Sequence, residues 1–395
     1  MFLSKGLTIN DRGHLTIGGC DTVELAAAYG TPLYVMDEDS IREALREYVR
    51  SMNEHYPQGG RIAYASKACS FLEMYRIVNE EGCGADVASA GELYTALQAG
   101  FPADKLYFHG NNKPAGELCM ALEAGVGRIV VDNLPELHRL SAVAKELGRT
   151  AEILLRVTPG IDAHTHSFIR TGQIDSKFGL TMENGDALEA VKEALVLEGI
   201  VIKGVHCHIG SQIFDADPFI HAAEVLLQFL AEIRRETGAA LTEMNLGGGF
   251  GIAYTGGDKP RPYSEYMAMV SGALKKKAEE LDFPLPFIVL EPGRSIAAPA
   301  GITLYTVGGV KEIPGVRTYV SVDGGMADNP RYALYQAEYT VVAAGRMNEP
   351  AVRNAAIAGR CCESGDMIQE NVPLPAVDSG DLLAVLATGD RKSVV

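Results

Sequence analysis

Residues 61–88 read RIAYASKACSFLEMYRIVNEEGCGADVA. Arg61–Ser66 is a short apolar run of strand type, and Ala85–Ala88 (ADVA) is another. Between them lies a segment with helical spacing. Two parallel strands need such a crossover, because a tight turn can join only antiparallel neighbours. The same rhythm recurs at Lys105–His109 (KLYFH), Arg128–Asp132 (RIVVD), Glu152–Val157 (EILLRV), Ile202–His208 (IKGVHCH), Glu243–Leu246 (EMNL) and Pro286–Glu291 (PFIVLE). Several of these runs are apolar on both faces, as strands of a covered parallel sheet are. Eight strands alternating with helices predict an α/β fold, a (β/α)8 TIM barrel. A doubly wound sheet stays open, since strand order cannot be read from one sequence.

Two of the helices can be read closely. Ser40 is suited to cap a helix that places Ile41, Leu45, Tyr48, Val49 and Met52 on one face. Pro218 opens a second, striped by Phe219, Ala223, Leu226, Leu227, Leu230 and Ile233. The flanks have a different texture. Residues 1–35 suggest a hairpin, LTINDRGHLTI with its turn at Asn10–Gly13, then a short strand before Met36. Thr303–Val307, Thr318–Val322, Tyr339–Val342 and Leu382–Leu386 are β-type runs separated by Gly, Pro and Asp. The expected organisation is a barrel over residues 36–298. A C-terminal all-β, barrel-like domain is built from 299–395 and takes in the N-terminal strands, 1–35. Chemistry in such a barrel belongs at the C-terminal ends of its strands.

Composition narrows the function. The 395 residues carry 35 Lys+Arg against 51 Asp+Glu, a net charge of −16 that disfavours a nucleic-acid partner. No apolar run approaches the roughly 20 residues of a membrane span, and MFLSKGLTINDRG lacks a secretory h-region. Seven cysteines without framework spacing point to reduced thiols and a cytoplasmic protein.

Lys67 directly follows the first strand, where an amine nucleophile or merely a solvated lysine could stand. Gly247-Gly248-Gly249-Phe250-Gly251 follows strand seven, the place where barrels often hold phosphate on backbone amides. Glu291-Pro292-Gly293-Arg294 ends strand eight and offers a carboxylate beside an anion ligand, or an ordinary ion pair. His206 and His208 alternate about Cys207 and would share one face of a strand. Barrel hydrolases place a comparable metal-binding pair on the first strand rather than the sixth, and the remaining ligands are not supplied, so no metal is expected. His164 and His166 sit in a polar loop. Cys362-Glu363-Ser364-Gly365-Asp366 sets a thiol beside carboxylates, while Asp323, Arg331 and Tyr335 have no local context that assigns them.

Taken in order, YASKA, GADVASAGEL, HGNNK, VDN, RVTPGIDAHTHSFIRTG, DSKFG, HCHIGSQ, NLGGGFG, EPGRS and CCESGD resemble the diaminopimelate decarboxylases. These belong to the alanine-racemase/ornithine-decarboxylase class of pyridoxal-phosphate enzymes (fold type III), and the resemblance runs from about residue 25 to 389. It implies decarboxylation of meso-2,6-diaminopimelate to L-lysine and CO2, the last step of lysine biosynthesis. Lys67 would carry pyridoxal 5'-phosphate, and His208 would stack on its ring. Ser211, Gly248, Gly249, Gly293 and Arg294 would hold the phosphate side, and Glu291 the ring nitrogen. Asp86 and Glu92 would support the lysine and the ring. Arg294, Arg331 and Tyr335 would bind the distal carboxylate of the substrate and Glu363 its distal ammonium. Cys362, rather than Cys361, would donate the proton. Because Cys362 and Glu363 reach a partner's site in this class, the resemblance also implies a homodimer with shared active sites.

The family pattern near the end is Thr-Gly-Ala-Tyr. Here Thr388-Gly389 is followed by Asp390, and the tyrosine expected to touch cofactor and substrate is missing. Weaker cofactor binding, rather than loss of the fold, is the expected cost. Two other readings are a non-catalytic cofactor- or partner-binding relative and a decarboxylase of another basic amino acid. A racemase would need a second base on the opposite ring face, and no tyrosine is well placed for it.

Overall fold

A computed structural model describes residues 3–161 and 176–390. The chain divides into two compact units. One comprises Leu45–Gly251 with Pro260–Gly293; the other takes the chain up to Ala44, Ile252–Lys259, and the chain from Arg294 onward.

The first unit contains the eight expected parallel strands. They are β1 (Gly60–Ala65), β2 (Gly84–Val87), β3 (Leu106–Phe108), β4 (Arg128–Val131), β5 (Ala151–Thr158), β6 (Ile200–His206), β7 (Glu243–Asn245) and β8 (Phe287–Leu290). Each pairs in parallel with the next. β8 also pairs with β1, and β4 pairs with β5, so the sheet closes into a barrel and the doubly wound alternative is excluded. Ala63, Tyr107, Val130, Leu154 and Val289 form a core cluster contributed by five of these strands. Glu243 is buried yet paired: it accepts from Arg128 Nε at 2.8 Å and from the Tyr107 hydroxyl at 3.2 Å. Burial of a carboxylate is tolerable when it is partnered in this way.

The second predicted helix is Asp217–Thr237, with Pro218 in its first turn and all six striped residues buried. Phe219 from this helix stacks on Phe250, with ring centroids 4.7 Å apart and planes 11° apart. Tyr263 and Tyr266 meet the same ring edge-on. Phe250, the aromatic residue within the glycine run, is therefore anchored in an aromatic cluster. The first predicted helix spans Glu38–His55, and Ile41, Leu45, Tyr48 and Met52 are buried on it, with Val49 half-buried. Ser40 does not cap it. Ser40 already lies within the first turn; Asp37, the residue before the helix, accepts from Asp39 N and Ser40 Oγ and takes the capping place.

The other unit holds a mixed seven-stranded sheet. Gly301–Ile313 is its long member. It pairs antiparallel with Leu33–Met36, Leu382–Leu386 and Arg317–Val322. Arg317–Val322 in turn pairs in parallel with Arg353–Ala358. Strands from both ends of the chain therefore share one sheet, as expected. The N-terminal hairpin is present, with Leu7 opposite Ile17, followed by the short pair partner Cys20–Asp21. The structure adds a helix at Thr22–Tyr29, whose cap Asp21 accepts from Val23 N and Glu24 N. It also adds strands Arg353–Ala358 and Met367–Leu374.

Candidate active site

Strand ends of the barrel gather most of the predicted residues. β1 ends at Ala65, and a single 3-10 turn, Ser66–Ala68, turns the exposed Lys67 out of the strand. Asp86, one residue before the end of β2, accepts from Ser66 N at 3.2 Å and so braces that turn. Burial pushes the Asp86 carboxyl well above the carboxylate range; Lys67 opposes that shift, and Glu291 and Glu92 add to it. Glu92 is likewise raised by burial, while a 2.6 Å hydrogen bond from Ala88 N pulls the other way. The charge of Lys67 is felt at Asp86, Glu92 and His208, so the four belong to one electrostatic neighbourhood.

Glu291, directly after β8, is the best-supported group. Its Oε1 lies 2.8 Å from His109 Nε2 and accepts from Asn245 Nδ2 at 2.6 Å, and its Oε2 lies 3.1 Å from His206 Nε2. Burial opposes ionisation here, but His109 and His206 outweigh it and hold the carboxyl well below its ordinary range. Burial also drives His206 down to about 3 and lowers His109, so both rings are neutral near pH 7 and donate through Nε2. Three neutral donors thus keep a buried carboxylate charged. The ligand atoms of His109, His206 and Glu291 lie within 4.8 Å of one another, a spacing a cation could use. Both Nε2 hydrogens are already committed to the carboxylate. The sequence singled out Glu291 and His206 but not His109 or Asn245. Their signal was position, since Asn245 ends β7 and His109 follows β3.

β6 ends at His206, so alternation along a strand no longer governs His208. Its Nδ1 accepts instead from Gly248 N at 3.3 Å, tying the ring to the glycine run. Burial, then Lys67, lowers His208 well below the usual imidazole range. Gly247 and Gly249 have φ of +67° and +118°, backbone that favours glycine. A Cβ on Gly248 would overlap the Glu291 carbonyl oxygen, and one on Gly249 the Gly210 carbonyl oxygen. A Cβ on Gly293 would come within 2.8 Å of Ala65 Cβ. Ser211, half-buried, lies just past this stretch in a loop where Gln212 has φ +62°.

The remaining predicted residues lie in the other unit. Arg294 is buried; its Nη1 is 2.8 Å from Asp390 Oδ2 and donates to the Tyr254 hydroxyl at 2.5 Å. Arg331 is buried over the Tyr254 ring, 3.5 Å from its centroid, and its Nε meets no hydrogen-bond partner. Tyr335 is half-buried at the end of the short helix Arg331–Tyr335. Cys362 and Glu363 are exposed on a loop held by Asp366, which accepts from Met326 N at 2.6 Å and Cys361 N at 2.7 Å. Asp323 is structural, accepting from Thr31 Oγ1 and Thr306 N. His164 and His166 lie outside the described residues.

A family model described as "Pyridoxal-dependent decarboxylase, pyridoxal binding domain" matches residues 39–298. The chain is 50% identical over 392 residues to the diaminopimelate decarboxylase of Bacillus subtilis (strain 168), covering 98% of this chain and 88% of that protein. It is 49% identical over 389 residues to that of Halalkalibacterium halodurans, with 98% and 88% covered. A crystal structure of the diaminopimelate decarboxylase from M. jannaschii in co-complex with L-lysine aligns with a TM-score of 0.90 at 37% identity, covering 100% of this chain and 90% of that one.

The barrel residues fit pyridoxal phosphate. Glu291 offers an ionised carboxylate to a ring nitrogen, and the glycine run packs its backbone against the Glu291 and Gly210 carbonyls, leaving its amides uncovered by side chains of its own. Ser66 Oγ, Glu92 Oε1 and His206 Nδ1 are buried polar atoms left without a partner. The chain belongs to the diaminopimelate decarboxylase family of pyridoxal-dependent decarboxylases.

Proposed function

We propose that this chain decarboxylates meso-2,6-diaminopimelate to L-lysine and CO2 with the residues assigned below. The observation that carries the proposal is Glu291, a buried carboxylate held ionised by three neutral donors at the mouth of a parallel barrel. Bound pyridoxal phosphate supplies an electron sink for the pair left behind by departing CO2. Glu291 would keep the ring nitrogen protonated, and His109, His206 and Asn245 fix the orientation and charge of its carboxylate. Lys67 provides the amine that would hold the cofactor. Asp86, close enough to feel the charge of Lys67, would support that amine. His208, tied through Nδ1 to Gly248, presents a fixed ring face for stacking. The amides of Gly248 and Gly249, with Ser211 and Gly293, cradle the phosphate.

A second set of residues reads the far end of the substrate. Arg294 and Arg331 suit a carboxylate, with Tyr335 beside them, and Glu363 suits an ammonium. Cys362 delivers a proton to the carbon that has lost CO2. We assign residues 36–298 as the cofactor-binding barrel domain and 1–35 with 299–395 as the β domain. We also assign a cytoplasmic homodimer in which Cys362 and Glu363 serve the partner's site. Among the described residues no helix is long and apolar enough to cross a membrane.

Stoichiometric release of CO2 and L-lysine from meso-diaminopimelate tests the reading, with ornithine and L-lysine as control substrates. Preferential turnover of either control would replace it with the decarboxylase of another basic amino acid.

A further inference from the structure

The contact between Arg294 and Asp390 is a carboxylate bound where a carboxylate is expected from outside. Both side chains are buried, at 8% and 4% exposure, and Arg294 Nη1 lies 2.8 Å from Asp390 Oδ2. The Tyr254 hydroxyl completes the set, accepting from Arg294 and donating to Asp390 Oδ1 at 3.2 Å. Tyr254 is itself fixed: Asp258 Oδ2 takes its backbone amide at 2.9 Å, and Thr340 Oγ1 donates to its carbonyl at 2.7 Å. Asp390 is delivered by an equally fixed segment. Thr388 N donates to Gly301 O, Gly389 N to Ala298 O, and the Thr388 and Thr303 hydroxyls meet at 2.8 Å. A second observation points to an anion: Arg331 stacks on the same Tyr254 ring, with a buried Nε that has no hydrogen-bond partner.

We propose that Asp390 is an internal carboxylate ligand of Arg294 that competes with the distal carboxylate of the substrate and so sets the affinity for it. The inference rests on the proposed function in one respect, that Arg294 receives the substrate's distal carboxylate. Each bound substrate must exchange one charge-assisted hydrogen-bonded pair for another, and the gain from the new pair is offset by loss of the old one. Removing the internal ligand removes that exchange. A residue that merely positioned Arg294 would act in the opposite direction, since its loss would leave the guanidinium misplaced.

The test uses Asp390→Asn, which keeps the shape, and Asp390→Ala, with Arg294→Gln as reference. Calorimetry on the cofactor-loaded protein measures binding of pimelate, the dicarboxylate that lacks both amino groups, and steady-state assays give kcat and KM for meso-diaminopimelate. Asp390→Asn should bind pimelate about tenfold more tightly than the parent, the equivalent of one charged hydrogen bond no longer exchanged. KM should fall by a similar factor with kcat little changed, and Arg294→Gln should abolish pimelate binding. Unchanged or weaker pimelate binding in both Asp390 variants overturns the inference. So does failure of both to fold, judged by thermal melting, because Asp390 would then be a structural counter-ion. If pimelate behaves as expected but the parent releases no CO2 from meso-diaminopimelate, the functional reading falls and the inference stands.

Discussion

His206 Nε2 lies 3.1 Å from Glu291 Oε2, and both side chains are buried. The pair has a consequence for pH. His206 has a folded value of about 3 against an ordinary 6.5, with burial as the leading cause. Between those limits the unfolded chain binds a proton that the folded protein does not, so stability rises with pH there and is lost as pH falls. The slope from this group is at most about 1.4 kcal/mol per pH unit. Urea denaturation at a series of pH values from neutrality downward should show it, and His206→Gln should flatten the curve. An unchanged slope in that variant would remove His206 as the source.

Gly249 has φ +118° and no room for a Cβ against the Gly210 carbonyl. Gly249→Ala should cost about 1–3 kcal/mol in backbone strain and displacement. It should also weaken pyridoxal-phosphate binding by about tenfold or more, read by equilibrium titration of the cofactor's absorbance. Parental cofactor affinity would show that the glycine run does not form the cradle.

Asp366 is buried and holds Met326 N and Cys361 N, next to the exposed Cys362 and Glu363. A Cβ on Gly325 or Gly359 would overlap its carboxylate, so the loop is built around this one side chain. Asp366→Ala should leave two amides unsatisfied, at a cost of about 1–3 kcal/mol. It should lower kcat while the cofactor stays bound. A normal kcat would mean that the loop needs no such support.

The proposed sharing of active sites between subunits makes a distinctive prediction. Lys67→Ala and Cys362→Ala should each be inactive or slow alone. Unfolded together and refolded as a mixture, they should regain up to about a quarter of parental activity, because some mixed dimers carry one intact site. No recovery, with mixed dimers demonstrated, would place Lys67 and Cys362 in the site of a single chain.

The barrel was legible because its strands are apolar on both faces and recur with helices between them; all eight runs lie within two residues of observed strands. Arg353–Ala358 and Met367–Leu374 were not, since the first is rich in alanine and the second contains Glu370, Asn371 and Pro373, which weaken a strand signal. Thr22–Tyr29 was hidden by its short length, although Asp21 is a good cap. Within the site, Lys67, Glu291 and the glycine run could be picked out by their place at strand ends. His109 and Asn245 also stand at strand ends, but their role, a hydrogen bond to a residue far away in the chain, could not be read from that position. The partner of Arg294 was equally invisible: a family pattern led to a missing tyrosine, whereas folding brings Asp390 to that guanidinium.

The most direct test of the central claim is release of CO2 and L-lysine from meso-diaminopimelate by the cofactor-loaded protein, measured beside Lys67→Ala and Glu291→Gln. The account predicts equal amounts of the two products from the parent, none above background from Lys67→Ala, and a kcat lowered about a hundredfold or more in Glu291→Gln. Undiminished turnover in Lys67→Ala, or no release by a parent that binds pyridoxal phosphate, would contradict it.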